Sequence, residues 1–366
     1  MDYRESKKIV LTLDAGGTNF VFSALQGGQK ITESVQLSSN ADDLNKCLDN
    51  IVKGFNKVMN ELDEKPSAIS FAFPGPADYK KGIIGNLPNL PAFNGGIALG
   101  PFLEKEFNIP VFINNDGNLF AYGEALAGYL PYINSRLKEA GSPKRYNNLI
   151  GITLGTGLGG GIVIEGEILI GDNSNAGEIW ILRDIFEKNR NIEESVSIRA
   201  VQKNYMENVK GEPSLTPKEI FDIAQGNKQG NKEVARESFH KMGQALGEVL
   251  TTLATIIDGI FVIGGGVAGA SSLFLPSTVE VMNSEFGTES DDNIPRLVTN
   301  NYNLEDKDQL NRFLQGENTN IRIPGKQGNI AYDPEKRIGI GISKMGTSEA
   351  ISIGAYTFAL NELEKI

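Results

Sequence analysis

The sequence predicts an α/β protein of two domains built on a repeated architecture. Three observations carry this. Apolar, β-branched runs alternate with amphipathic stretches of helical spacing. A unit of strand, glycine-rich turn and strand occurs twice, in "LDAGGTNFVF" and "ITLGTGLGGGIVI". The chain has 366 residues, more than one ordinary core organises.

Taken in order, "KKIVLTLD", "NFVFSALQ" and "KITESVQL" read as three strands separated by glycine-rich turns. "ADDLNKCLDNIVKGFNKVMNELDEK" sets Leu44, Leu48, Ile51, Val52, Phe55, Val58, Met59 and Leu62 at helical spacing, a long amphipathic helix with Asn40 as its cap. "AISFAF" is a buried strand stopped by Pro74-Gly75-Pro76. "GGIALGPFLEKEFN" is a helix, and "PVFIN" is a strand that runs into another helix. The pattern then restarts. "NNLIGITLGTGLGGGIVIEGEILIG" gives strand, turn, strand, turn, strand; helices follow near 198–208, 217–224 and 232–257; then come a strand, "GIFVIGGG", and a helix, "LFLPSTVEVMNSEF". Residues 287–344 turn polar and Asn-rich and read as a surface excursion with a few short strands. The closing "SEAISIGAYTFALNELEKI" is helical and returns to the first domain. The expected division is 1–125 completed by 346–366, and 126–345.

Composition excludes several classes of function. A net charge of −11 argues against nucleic acid as the main partner, because phosphate backbones demand clustered Lys and Arg. The single Cys47 rules out an intramolecular disulfide and a Cys-rich zinc site. No apolar run reaches membrane-spanning length, and "MDYRESKK" carries no apolar signal region, so a cytoplasmic setting is expected. The only histidine, His240, lies in the helical run "EVARESFHKMGQALGEVL" and reads as a surface or partly buried residue.

Three glycine turns carry the nucleotide reading. Asp14-Ala15-Gly16-Gly17-Thr18-Asn19 and Gly155-Thr156-Gly157 each lie between strands, where glycine permits positive φ and lets backbone N–H groups approach an anion. Gly155, Gly157 and Gly160 spell a literal G-x-G-x-x-G, but a dinucleotide fingerprint needs a helix after the glycines, and "IVIEGEILI" is strand-like. A Walker A loop fails as well, for lack of a following Gly-Lys-Ser/Thr. Gly264-Gly265-Gly266 follows the strand "IFVI" and removes bulk, as a flat base or ribose requires. Two such turns at corresponding places of a duplicated unit point to phosphates clamped in a cleft between domains.

In "PVFINNDGNLFAYGEALAG" an apolar run ends on Asn114-Asn115-Asp116. One reading is a helix N-cap. The other is a catalytic carboxylate at the carboxyl end of a strand, where open α/β sheets place their ligands.

In this order and spacing, "LDAGGTNF", "FAFPGPAD", "NNDGN", "GTGLGGGIV", "NAGE" and "VIGGGVA" resemble the ROK family (repressors, open reading frames and kinases), of the sugar kinase/actin-like ATPase superfamily. The resemblance spans roughly residues 9–269 and the last helix. It implies two actin-like (ribonuclease H-like) ATPase domains with an interdomain cleft, commonly in a homodimer. The implied activity is ATP-dependent, Mg²⁺-requiring phosphorylation of a hexose or N-acetylhexosamine, usually at the 6-hydroxyl. By the same resemblance Asp116 is the general base and Asn115 a sugar-hydroxyl ligand, with Gly75 and Asn89 also at the substrate. Asp14, Gly16, Gly17, Thr18 and Asn19 form the first phosphate loop, Gly155, Thr156 and Gly157 the second, and Gly264, Gly265 and Gly266 the adenosine side. Glu178 and Glu193 grip the sugar. The chemistry is consistent with these roles: phosphoryl transfer asks for positioning, charge neutralisation and a carboxylate to receive the hydroxyl proton. Asp14 suits Mg²⁺ through its water shell. Plainer readings stand beside two of them, Glu178 as a surface acid and Glu193 as an acid in the first turn of a helix.

The sequence also departs from the family. Where members read Gly-Glu-Ile-Gly-His and then a cysteine cluster for zinc, this chain reads Gly177-Glu178-Ile179-Trp180-Ile181 with no cysteine after it. No zinc site is expected, and a sugar contact made by the family's histidine is missing. Trp180 packs in the core or lies along a sugar ring, core packing being the favoured reading. Asn114 is the expected cap of the helix from Gly117. The alternatives are a non-catalytic sugar sensor on the same fold, or a kinase for a mannosamine, fructose or allose derivative. A DNA-binding repressor is disfavoured, because the first strand starts within ten residues of Met1.

Overall fold

The computed structural model describes residues 3–87, 91–209, 215–287 and 292–366. The chain divides into two units: Met1–Ala127 with Ile168–Gly177 and Ser348–Ile366, and Gly128–Glu167 with Glu178–Thr347.

The first unit runs β1 (Ile9–Ala15), β2 (Asn19–Gln26), β3 (Gln29–Lys30), β4 (Val35–Ser38), α1 (Leu44–Met59), β5 (Ala68–Ala72), β6 (Ala77–Asp78), β7 (Ile83–Ile84), α2 (Leu99–Phe107), β8 (Val111–Asn114) and α3 (Asp116–Leu126). Its sheet has the order β3-β2-β1-β5-β8, with β4 also on β2. β1 and β2 are antiparallel, while β1, β5 and β8 are parallel. The expected third strand is broken in two. Gly27 and Gly28 reverse the chain at positive φ, and the Thr32 hydroxyl takes the Ala24 N–H at 3.1 Å, interrupting the ladder until β4 resumes it.

α1 lays Cys47, Ile51, Phe55 and Val58 against this sheet, so its buried stripe follows the helical period. A Cβ at Gly54 would collide with the Phe22 ring; glycine inside the helix lets Phe22 meet Phe55 edge-on at 5.1 Å. The cap of α1 is Asp43, whose carboxylate accepts from Lys46 N at 3.1 Å. Asn40, the expected cap, instead sits at φ 46 in the turn before it.

The second unit runs α4 (Tyr129–Glu139), β9 (Leu149–Leu154), β10 (Leu158–Ile164), β11 (Glu167–Ile168), α5 (Ile198–Asn208), α6 (Pro217–Gln225), α7 (Lys232–Ile256), β12 (Ile260–Gly264), α8 (Ser271–Met282), β13 (Glu285–Gly287), β14 (Asn293–Pro295), β15 (Asn300–Asn303), α9 (Lys307–Gln315), β16 (Thr319–Arg322), β17 (Asn329–Tyr332) and β18 (Arg337–Ile342). Its sheet order is β11-β10-β9-β12-β18-β15, again an antiparallel β9/β10 pair followed by parallel strands. The two sheets thus repeat one topology. α7 and α8 cross with backbones nearly touching: a Cβ on Gly243 or Gly247 would run into Phe274 O or Thr278 O, and Thr278 Oγ1 donates to Gly243 O at 3.0 Å. His240 is half-buried on α7.

Residues 287–344 are not all excursion. β13–β14 and β16–β17 are exposed two-stranded ribbons, but β18 lies buried between β12 and β15. It opens on Arg337, fully buried, which pairs with Asp333 at 2.5 Å and Glu335 at 3.2 Å and donates from Nε to Phe313 O at 2.7 Å. The sequence conceals this strand because its partner β12 lies far upstream and its flanks are charged.

The chain closes with α10 (Thr347–Lys365), which packs in the first unit. Tyr356 and Ala359 lie on Val10, Leu25 and Ala68, and the Tyr356 hydroxyl accepts from Gly27 N at 2.8 Å. α10 also crosses α3 closely: a Cβ at Gly123 would strike Ala350 O, and one at Gly354 would strike Leu119 O. Residues 168–177, expected in the second domain, group with the first unit, where Ser174 Oγ accepts from Tyr79 N at 3.2 Å.

Candidate functional site

In the first unit the strand register assembles the site. Asp14, Ala72 and Asn114 are neighbours across β1, β5 and β8, so the residues that follow each strand emerge at one carboxyl end. These are the turn Gly16-Gly17-Thr18-Asn19, the loop Pro74-Gly75-Pro76 and the pair Asn115-Asp116. Phe73 N donates to Asn114 O at 2.8 Å, carrying the ladder to its last residue. The Gly75–Pro76 peptide is cis, and a Cβ on Gly75 would stand 2.9 Å from the Tyr79 hydroxyl. Asn89 lies outside the described residues.

The polar run after β8 divides its tasks differently from expectation. Asn115, not Asn114, caps α3: its Oδ1 accepts from Asn118 N at 2.6 Å. Among the described residues no acceptor meets the Asn115 side-chain amide nitrogen. Asn114 is fully buried, and its Oδ1 accepts from Asn115 N at 2.9 Å and Asn118 Nδ2 at 2.8 Å. Asp116 is the exposed member, the first residue of α3, with Oδ1 on Gly117 N at 2.9 Å.

The first glycine turn is closed by Gly16 N on Asn19 O at 3.0 Å. Ser39 takes its carbonyls, through N–H to Thr18 O (2.9 Å) and Oγ to Gly17 O (2.6 Å). Among the described residues no acceptor meets the N–H groups of Gly17 or Thr18. The second turn is built alike: Gly155 N bonds Gly157 O at 3.0 Å, Ile198 N holds Gly155 O at 2.9 Å, and no described acceptor meets Thr156 or Gly157 N–H. None of Gly16, Gly17, Gly155 and Gly157 adopts positive φ, contrary to the reason expected for them. Space is the reason instead. A Cβ at Gly16 would lie 2.9 Å from Asn19 O and one at Gly157 would hit the Glu193 carboxylate, whereas at Gly17 and Gly155 no described residue beyond the chain neighbours lies within 4 Å. Each turn thus pairs unengaged N–H groups with an open approach, which fits phosphate oxygens.

Gly264, Gly265 and Gly266 leave the carboxyl end of β12 beside the second turn, since Gly264 pairs with Thr153. Gly265 is required by the chain itself: it sits at φ +95 with its Cβ position against the Leu154 backbone, and its N–H donates to Thr347 Oγ1 at 2.7 Å. Among the described residues beyond its chain neighbours, a Cβ at Gly266 would face only Ile198 Cδ1, at 4.0 Å.

Glu193 lies in the short 3₁₀ turn Ile192–Glu194, and its carboxylate spans Leu158 N at 3.0 Å and Arg199 Nη2 at 2.8 Å. Its first duty is to hold the second turn. Glu178 is half-buried, and Oε2 accepts from Trp180 Nε1 at 2.5 Å. Trp180 is therefore not the core residue expected; it is 38% exposed, while Ile179 beside it is the buried anchor. Ser39 and Thr347, which fix two of the glycine turns, were not foreseen, because their partners lie 22 and 82 residues away. Among the described residues no three His, Cys, Asp or Glu side chains gather to hold a metal, and no helix is long and apolar enough to cross a membrane.

The chain is similar to known proteins in sequence and fold. The crystal structure of a glucokinase from Parabacteroides distasonis is 52% identical, with a TM-score of 0.92 over 99% of each chain. The glucokinase of Halalkalibacterium halodurans is 27% identical over 291 residues, 72% of this chain and 82% of that protein. The N-acetyl-D-glucosamine kinase of Vibrio cholerae is 31% identical over 170 residues, 46% of this chain and 51% of that protein. The fold is that of two actin-like ATPase domains. With the ROK family model matched over residues 10–301, the chain belongs to the ROK family.

Proposed function

We propose that the chain is an ATP-dependent kinase that phosphorylates a glucose-like hexose or N-acetylhexosamine at its 6-hydroxyl, with Asp116 as general base. The observation that carries this reading is the pair of glycine turns, each at the carboxyl end of its sheet with unengaged N–H groups and an open approach. The relatives named glucokinase and N-acetyl-D-glucosamine kinase support the substrate class.

Bound ATP with Mg²⁺ supplies the transferable phosphoryl group. The protein's part is positioning, charge neutralisation and proton acceptance. Gly17, Thr18, Thr156 and Gly157 would present N–H groups to phosphate oxygens, and Asp14 would hold the metal through its waters. Gly264 to Gly266 would line the adenosine, with Asn19 beside the first turn. Asp116, exposed at the start of α3 just after β8, would take the proton from the attacking hydroxyl, a role contributing about 10²- to 10⁴-fold in rate. Asn115 would donate to a sugar hydroxyl through its amide, and Glu178 would accept from one. Gly75 and Asn89 complete the proposed sugar contacts. Glu193 acts through the second turn, and any sugar contact uses the lone pairs its two bonds leave. A homodimeric, cytoplasmic enzyme belongs to the same proposal.

The test is coupled ADP release with Mg-ATP over glucose, N-acetylglucosamine, mannose, N-acetylmannosamine and fructose. Turnover of at least one hexose is expected, with the phosphate located on oxygen 6 by NMR. No turnover with any sugar would overturn the kinase reading and leave a sugar-binding sensor.

A further inference from the structure

We propose that Trp180 is a positioning and specificity-determining residue for the sugar: its indole N–H fixes the Glu178 carboxylate, and its exposed ring forms a platform for the apolar face of a pyranose. The inference rests on the reading of Glu178 as a sugar acid.

The local geometry has an identifiable cause. Directly after Glu178 the chain enters the 3₁₀ turn Ile179–Ile181. Ile179 is 5% exposed and packs into the core of the second unit, which anchors the turn. With that side chain turned inward, Trp180 faces outward, and its Nε1 reaches back to Glu178 Oε2 at 2.5 Å. An indole has one polar atom and it only donates. Once Nε1 is engaged, what the ring has left to offer a ligand is apolar surface, on a residue 38% exposed.

Two consequences follow for a ligand. The carboxylate keeps its second oxygen, Oε1, as an acceptor, and its orientation is set by the indole rather than by solvent. A charge-assisted bond of this kind is among the stronger ones a side chain makes. The ring beside it matches the C–H face of a pyranose, whose hydroxyls point outward at the rim where Glu178 can accept from them. Acceptor and platform are one unit, so a sugar must satisfy both together. A furanose or open-chain substrate would meet only the acid.

Trp180 is the only tryptophan in the chain, so intrinsic fluorescence reports this residue alone. Titrating the wild-type protein with the best substrate of the sugar panel should change the emission saturably, with half-saturation close to the sugar KM, while ATP without sugar leaves it unchanged. Trp180→Phe keeps a ring and loses the donor. It should raise the sugar KM about 5- to 30-fold, less than the full loss of a charged hydrogen bond because the pair is partly exposed, with the KM for ATP within twofold of wild type. Trp180→Ala should raise the sugar KM further. An unaltered sugar KM in Trp180→Phe, or emission indifferent to saturating sugar, would overturn the proposal while leaving the kinase reading standing. Absence of sugar-dependent turnover in the wild type would remove both. A merely structural tryptophan would lower stability and kcat without this selective effect on the sugar.

Discussion

Replacing Gly17 by alanine tests the assignment of the first glycine turn to a nucleotide without disturbing the fold. A Cβ built at Gly17 has no described residue beyond its chain neighbours within 4 Å, and the residue does not occupy the left-handed region. The methyl group therefore meets no backbone or side chain of the described residues beyond its chain neighbours. Stability should stay level or rise by up to about 1 kcal/mol, through the reduced freedom of the unfolded chain. If the open space holds ATP phosphates, the same methyl overpacks the complex, at a cost of about 1–3 kcal/mol. At 1.4 kcal/mol per tenfold, that weakens nucleotide binding about 5- to 150-fold. The assay is coupled ADP release with ATP varied at saturating sugar, then sugar varied at saturating ATP, beside a thermal melt. The expected pattern is a raised KM for ATP, an unchanged KM for sugar and an undiminished melting temperature. Gly16→Ala is the contrast, since its Cβ would lie 2.9 Å from Asn19 O and should lower stability as well. A KM for ATP within twofold of wild type in Gly17→Ala would refute the reasoning.

Three further outcomes are expected. Glu193→Ala strands the Leu158 N–H, on a residue 2% exposed, at a cost of about 1–3 kcal/mol, and should raise the KM for ATP more than that for sugar. Gly123→Ala drives a methyl into Ala350 O at the α3–α10 crossing and should destabilise by about 1–3 kcal/mol, read as a lower urea midpoint at unchanged slope. Asp333→Asn breaks the buried pair with Arg337, which keeps Glu335 as its partner, and should cost about 1–3 kcal/mol near pH 7. Burial works against the Asp333 charge, but the Arg337 bond and the N–H groups of Glu317 and Glu335 prevail and hold the carboxyl below its usual range. Its contribution is complete above the unfolded value of about 3.9 and is lost as pH falls through the lowered folded value, so the gap between wild type and variant should narrow below about pH 4.

Much of the fold is legible where contacts are local. β1, the glycine turn and β2 follow from two β-branched runs and the residues between them, and α5 and α7 lie where the helical stretches near 198–208 and 232–257 are expected. The turn before β10 is separable from a dinucleotide fingerprint because "IVIEGEILI" has strand character, and the ladder with β9 shows that strand. What escapes depends on distant partners. β18 is a buried strand because β12 and β15 flank it, and no local period reveals that. Residues 168–177 join the first unit through contacts such as Tyr79 with Ser174. Trp180 reads as a core residue because large aromatics usually bury themselves, and the anchoring of Ile179 decides otherwise. In the polar run after β8 the cap reading holds at Asn115, while Asp116 stays exposed, which the proposed catalytic role requires. The sequence shows that a cap and a carboxylate are present, but only the start of α3 shows which residue is which.

The most direct test of the kinase account is a single-turnover measurement on Asp116→Asn with saturating Mg-ATP and sugar, paired with nucleotide binding by calorimetry. The substitution is isosteric at an exposed position and keeps an oxygen for Gly117 N. A fall of about 10²- to 10⁴-fold in the phosphoryl-transfer rate, with ATP affinity unchanged, is the result predicted. Transfer within threefold of the wild-type rate would contradict it.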